Sequence, residues 1–242
     1  MADDPIQGFV RRLAACSALQ PKDTAALAAL NWRTASRSRH SYLIREGDRP
    51  TECTVLVDGF AQRQKLTVDG ARQIVSFAVP GDPLDLEFLF CEEADFSIQM
   101  STDGVIARVP AEELRALIEG RTAVGGAVIA SLLADAAIFQ EWIMNIGRRD
   151  ARQKIAHLLC EIFARLEAQG LKNKVTELPY SQDQLADATG LTSVHVNRVL
   201  RQLGADGVIS RSRRTIGVRD WALLRNVAGF DDRYLRLAAA IN

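Results

Sequence analysis

At 242 residues the chain can build one large or two modest domains, each with its own core. Apolar residues make up 48% and charged residues 25%, the make-up of an ordinary soluble globular protein rather than a disordered one. Formal net charge is zero, yet residues 1–147 hold 14 basic and 20 acidic side chains while residues 148–242 hold 16 and 10. An acidic front and a basic back is expected when only one domain meets nucleic acid.

The start, MADDPIQGF, lacks the basic and apolar regions of a secretory signal. Residues 5–15 and 22–30, rich in alanine and leucine, read as short helices. From about 38 to 108 short β-prone runs alternate with turns. Tyr42–Ile44 precedes Glu46-Gly47-Asp48, Thr54–Val57 precedes Asp58-Gly59, and 61–67 precedes Asp69-Gly70. Residues 73–79 precede Pro80-Gly81, and 96–100 and 105–109 complete the set. Asp-Gly pairs between strands predict hairpins. Many short strands at regular spacing predict a small β-roll or jelly roll, a shell that often encloses a small-molecule pocket.

Pro110-Ala111-Glu112-Glu113 opens a helix to about Ile118, and a longer helix runs from Arg121 to about Ile146. Within it Gly125, Ile129, Leu132, Ala136, Phe139, Ile143 and Ile146 are spaced 4-3-4-3-4-3, a coiled-coil seam. Ile129 to Ile146 are the expected dimer contacts, with Val128, Leu133 and Trp142 to either side; the same stripe could instead pack on the chain's own barrel. Gly147-Arg148-Arg149 interrupts the helix and Asp150 can cap the next, so 147–150 reads as the hinge. No stretch approaches the roughly 18 apolar residues of a membrane span. Helix 151–168 carries Ile155, Leu158, Leu159, Ile162, Phe163 and Leu166 on one face.

Residues 178–218 hold the most specific pattern. Ser181 with Gln184 fits a capping box, Gly190 permits a tight turn, and Thr192 can cap a second helix. On that helix Val196, Val199, Leu200 and Leu203 share the inner side, whereas Val194, Asn197, Arg198 and Arg201 share the outer. The arrangement is a helix-turn-helix whose outer face suits a DNA major groove. Arg198, which can fork onto guanine O6 and N7, is the foremost base reader; Asn197, suited to adenine N6 and N7, is second. Ser193 and Val194 lie at the helix start, where base edges are reached, and Val194 can touch a thymine methyl. Ser181, Thr192, His195 and Arg201 are expected at the DNA backbone. So are Arg211, Arg213 and Arg214, at the tip of a hairpin formed by 208–211 and 215–218. Short helices at 221–227 and 232–240 close the chain.

Taken together, the expectation is an α+β chain. Residues 1–120 form a β-roll sensor with N-terminal helices, 121–147 a dimerisation helix, and 148–242 a winged helix-turn-helix domain. The pattern resembles the Crp/Fnr family of bacterial transcription regulators over nearly the whole chain. The resemblance rests on Glu46-Gly47-Asp48, Val57-Asp58-Gly59 and Pro80-Gly81-Asp82, then on Gln184-Leu185-Ala186-Asp187, Gly190-Leu191-Thr192 and Val196-Asn197-Arg198. It implies that Arg198 is the guanine reader. The family often has Glu where this chain has Val194, so the resemblance implies an inverted repeat but carries over no specific operator sequence.

The family's cyclic-AMP binders carry a Gly-Glu pair and, about ten residues on, an Arg-Ser pair. Aligned on Gly81-Asp82 and Phe90, this chain has Asp85-Leu86 and Phe96-Ser97, which removes the phosphate's fork and adds a like charge. Cyclic AMP is therefore not expected. Cys16, Cys53, Cys91 and Cys160 lack the grouping of an iron–sulfur cluster or zinc site, and His40 alone does not suggest haem, so no cofactor or metal is expected.

The leading expectation is a cytoplasmic homodimer that binds double-stranded DNA at an inverted repeat, meets RNA polymerase, and is switched by an unidentified signal at the β-roll, for which an unknown small-molecule effector is one candidate. The alternative is an effector-independent regulator of the same fold, its barrel filled by Phe88 and Phe96, controlled by abundance or by oxidation of Cys91 or Cys160. An enzyme on a cupin-like barrel would need two or three metal-binding histidines, and the barrel region has only His40. The common catalytic motifs are missing.

Overall fold

A computed structural model describes residues 5–171, 177–212 and 215–237. The chain divides into two compact units, one of residues 1–64, 77–136 and 236–242, the other of residues 65–76 and 137–235. Arg213, Arg214, most of the 170–174 loop and residues 238–240 of the expected last helix lie outside the described residues.

The first unit opens with α1 (Gln7–Cys16) and α2 (Pro21–Ala28), the latter begun by a proline in its first turn and a Gln20–Asp23 capping box. Seven strands follow: β1 (Arg33–Arg37), β2 (Tyr42–Ile44), β3 (Glu52–Asp58), β4 (Ala61–Leu66), β5 (Arg72–Ala78), β6 (Ser97–Met100) and β7 (Gly104–Pro110). They form two sheets, β1-β7-β3 and β2-β6-β4-β5. Strand β1 was not anticipated. It is an edge strand paired only with β7, half or more exposed along its length, so it carries no apolar alternation to read.

Only one Asp-Gly pair makes the expected hairpin. Asp69-Gly70 joins β4 to its sheet neighbour β5, whereas Asp58-Gly59 carries the chain from one sheet to the other. Gly59 adopts φ +85°, and a Cβ there would lie 2.6 Å from the carbonyl oxygen of Asp103. A Cβ on Gly104 would lie 2.3 Å from the carbonyl oxygen of Asp58. The two backbones pass too closely for any side chain, which the dipeptide alone does not reveal.

Strand β3 is buried on both faces. Cys53 and Val55 pack outward against Phe9 and Leu13 of α1, Leu114 of α3 (Ala111–Gly120) and Val124 and Val128 of α4 (Thr122–Arg148). Leu56 points into the roll with Leu84, Phe88, Ile98, Met100 and Ile106. Each such side chain contributes roughly 1.5–3 kcal/mol on burial.

Helix α4 is continuous to Arg148, so Gly147 and Arg148 form its last turn. By length and composition alone it could cross a bilayer, with a mean hydropathy of 1.8 over an 18-residue window, contrary to the expectation that no stretch would. Its polar residues show otherwise: Asp135 is ion-paired to the buried Arg12 at 2.9 Å, and Ser131 and Asn145 are buried.

The second unit contains α5 (Ala151–Ala168), β8 (Glu177–Leu178), α6 (Gln182–Thr189), α7 (Ser193–Ala205), β9 (Ile209–Arg211), β10 (Ile216–Val218) and α8 (Trp221–Ala228). A 3-10 turn, Asp232–Leu235, follows. The three strands lie in the order β8-β10-β9, so the wing is a small sheet rather than a lone hairpin. Helix α5 packs against α6, α7 and α8, with Ile155, Leu158, Leu159, Ile162 and Leu166 buried.

Candidate nucleic-acid interface

The helix-turn-helix is built from local signals. Ser181 Oγ accepts from the Gln184 amide at 3.1 Å while Gln184 Oε1 accepts from the Ser181 amide at 3.0 Å. The Ser181 hydroxyl is thereby engaged as a cap. Gly190 ends α6 at φ +65°, a left-handed conformation that costs other residues roughly 1–2 kcal/mol. A Cβ there would meet Ile146 Cγ2 at 3.7 Å, so the glycine serves the turn's backbone rather than close packing. Thr192 Oγ1 accepts from the His195 amide at 3.2 Å and starts α7.

On α7 the two faces separate as the spacing requires. Val196, Val199, Leu200 and Leu203 are buried. Val194 is 81% exposed, and Arg198 and Arg201 are exposed; Ser193, His195 and Asn197 are half-buried. A large apolar side chain exposed beside two free-standing guanidiniums suits a groove with methyl groups and acceptor atoms. Two contacts were not anticipated. The Ser193 hydroxyl bonds to the Asp183 carboxylate on α6, which draws it toward that helix. Arg211 on β9 donates from Nη1 to Asn197 Oδ1 at 2.9 Å. In the same unit Asp187 of α6 receives Arg72, the first residue of β5, through Nη2 at 2.6 Å and Nε at 2.7 Å.

The junction before α5 is tightly bonded. Asp150 Oδ1 accepts from the Gln153 amide at 2.9 Å, the expected cap. Arg149 reaches back to Glu141 at 2.6 Å, and His157 Nε2 lies 3.2 Å from the same Glu141 oxygen. Burial, aided by the Arg149 charge, pushes the His157 imidazole down to about 3 and keeps it neutral. The buried Glu161 accepts from Trp142 Nε1 at 3.0 Å and from the Tyr234 hydroxyl at 2.9 Å. A charged pair, Glu161 and Arg165, inside the apolar face of α5 was the one sequence signal of this network.

Along α4, Ile129 (55%), Leu133 (53%), Ile143 (72%) and Met144 (42%) are exposed, Ala136 is exposed, and Leu132, Phe139 and Ile146 are half-buried. Leu133 belongs to the outward stripe. Gly125 does not: it is buried, and a Cβ there would meet Ile118 of α3 at 3.1 Å.

Inside the roll, Arg63 is buried and engaged with the protein's own groups. Its Nη2 donates to the Leu84 carbonyl at 2.8 Å, and Nη1 lies 3.2 Å from Glu87 Oε1. Its guanidinium stands 5.1 Å from the Phe96 ring, which stacks on Phe88 at 5.5 Å. The buried Asp85 accepts from the Thr54 amide at 2.7 Å, and burial pushes its carboxyl up to about 7. An open cleft of about 320 Å³ reaches Asp85 and Thr54; another of about 600 Å³ borders Cys91. Cys91 is exposed, whereas Cys160 is buried and its thiol is pushed up to about 12, which corrects the expectation of Cys160 as a redox thiol. His40 is exposed, and among the described residues no cluster could hold a metal ion.

A β-roll, a long apolar helix and a winged helix-turn-helix define a DNA-binding transcription regulator, not an enzyme. Residues 153–227 match the Crp-like helix-turn-helix domain, and residues 36–121 match the cyclic nucleotide-binding domain. The nitrogen fixation regulation protein FixK of Azorhizobium caulinodans is 30% identical over 78% of this chain and 77% of its own length. The transcriptional activator protein FnrL of Cereibacter sphaeroides is 26% identical over 92% and 90%. In fold, the FixK2 structure from Bradyrhizobium japonicum superposes with a TM-score of 0.73, at 22% identity, over 84% of this chain and 100% of that one. The chain belongs to the Crp/Fnr family of transcription regulators.

Proposed function

We propose that the protein is a cytoplasmic homodimer that reads an inverted repeat in double-stranded DNA and acts on transcription through contact with RNA polymerase. The observation that carries this reading is the division of α7, with Val194, Arg198 and Arg201 exposed over a fully buried opposite face. Arg198 is the principal base reader, with Asn197, Val194 and Ser193 beside it. Thr192, His195 and Arg201 hold phosphates. Ile129, Leu132, Ala136, Phe139, Ile143 and Ile146 pair two copies, which spaces the reading helices about 34 Å apart. Functionally the domains are 1–120, 121–147 and 148–242, with Arg149 and Asp150, the break between α4 and α5, as the hinge through which a signal at the roll re-aims the readers. Gel-shift titration on a selected inverted repeat tests this: Arg198→Ala should weaken binding by about tenfold or more. Unchanged affinity would remove Arg198 from the reading role.

A second reading is favoured by the Arg63–Glu87 pair and the Phe88–Phe96 stack inside the roll. The roll would then be a scaffold, and the regulator would be controlled by abundance or by Cys91. A thermal-shift screen of small metabolites separates the two, since a ligand raises Tm by mass action and a scaffold does not respond.

A further inference from the structure

Arginine's guanidinium carries only donors, so the atom of Asn197 that faces Arg211 can only be its amide oxygen. The 2.9 Å bond crosses from the wing to the reading helix and fixes which end of the amide faces the wing. Arg211 takes one of the two lone pairs of Oδ1 and sets the plane of the amide, so the Nδ2 amino group, a pair of donors, is the end turned away from that partner. Adenine recognition by asparagine needs both amide ends, a donor to N7 and an acceptor for N6. Guanine offers two acceptors, N7 and O6, and no donor at that edge. We propose that Arg211 is a specificity-determining residue: by pinning the Asn197 amide it turns an adenine reader into one that reads chiefly through its donors and selects guanine. This rests on α7 being the base-reading helix. Arg211 then acts on sequence through Asn197 and not as one more phosphate contact. Both side chains come from regular elements of the second unit, Asn197 from α7 and Arg211 from the end of β9.

The test is selection of inverted repeats from a randomised duplex library by the full-length wild type and by Arg211→Ala, Arg211→Lys and Asn197→Ala. Arg211 is exposed, so its variants should keep the fold, checked by circular dichroism. The expected result is a guanine at one half-site position in the wild type. That preference should shift by about tenfold toward adenine in Arg211→Ala, return in Arg211→Lys, whose ammonium also donates, and vanish in Asn197→Ala. The position read by Arg198 should not move. If Arg211→Ala instead weakens all sequences alike and lowers the salt slope by about one, Arg211 is a phosphate contact and the proposal is overturned while DNA reading stands. If the wild type selects adenine there, the pinning is wrong. If the wild type selects no sequence, the base-reading role of α7 fails, and the proposal with it.

Discussion

Arg63 Nη1 stands 3.2 Å from Glu87 Oε1 inside the β-roll, with both side chains taken from the protein itself. Asp135 of α4 lies 3.8 Å from Arg63 and 2.9 Å from Arg12, so two arginines and two carboxylates share this interior. Arg63→Ala leaves Glu87 without this partner while Asp135 keeps Arg12; losing one member of a buried pair typically costs about 3–5 kcal/mol, and less here because Glu87 is only half-buried. Arg63→Ala should therefore lower Tm in thermal denaturation. Cyclic AMP added to the wild type should leave Tm unchanged.

Asp85 gives stability a defined pH dependence. Its folded carboxyl is pushed up to about 7, above an ordinary aspartate near 3.9. The folded state holds the proton more tightly, so this contribution is complete below about pH 4 and is lost as pH rises through 7. Asp85→Asn keeps an oxygen for the Thr54 amide and carries no charge. It should raise Tm relative to wild type at pH 8, and the advantage should shrink toward zero by pH 4. An equal effect at both pH values would mean that the charge is not the cause.

Ile143 is 72% exposed on α4, so a charge there meets water in a monomer but desolvates in a paired interface. Ile143→Glu should leave circular dichroism unchanged and halve the mass seen by light scattering. Retention of a dimer would move the interface off this stripe.

The cysteines should react in a set order. Cys91 is exposed, whereas burial holds the Cys53 and Cys160 thiols far above their ordinary range. A maleimide reagent at neutral pH should label Cys91 within minutes, and Cys53 and Cys160 only after unfolding. Peptide mass mapping reads the outcome; early labelling of Cys160 would contradict the packing of α5.

Helices α5, α6 and α7 were legible within a residue or so. Their starts are written in residues three apart (Asp150 with Gln153, Ser181 with Gln184, Thr192 with His195) and their faces in a 3.6-residue repeat. Strands β1 and β8 were not legible. One is an exposed edge and the other two residues long, so neither carries an apolar alternation. The crossing at Asp58-Gly59 was misjudged because the same dipeptide serves a hairpin or a sheet change. What decides is the approach of Asp103 and Gly104 from more than 40 positions away. The half of α4 that faces outward was partly misread at Gly125 and Leu133, since a seam spacing and a core spacing overlap on one apolar helix.

Local chemistry alone specified that a capped, amphipathic helix would turn Val194, Asn197, Arg198 and Arg201 to one side, because helical period and capping reach only three or four residues; Asn197 is half-buried there and the other three are exposed. Folding decided what those groups can do. The direction of the Asn197 amide depends on Arg211, fourteen positions away, and the filling of the roll depends on Arg63 finding Glu87 and Asp135. Such pairings between remote positions leave no periodic trace in the chain, and only the packed backbone brings the partners within bonding distance.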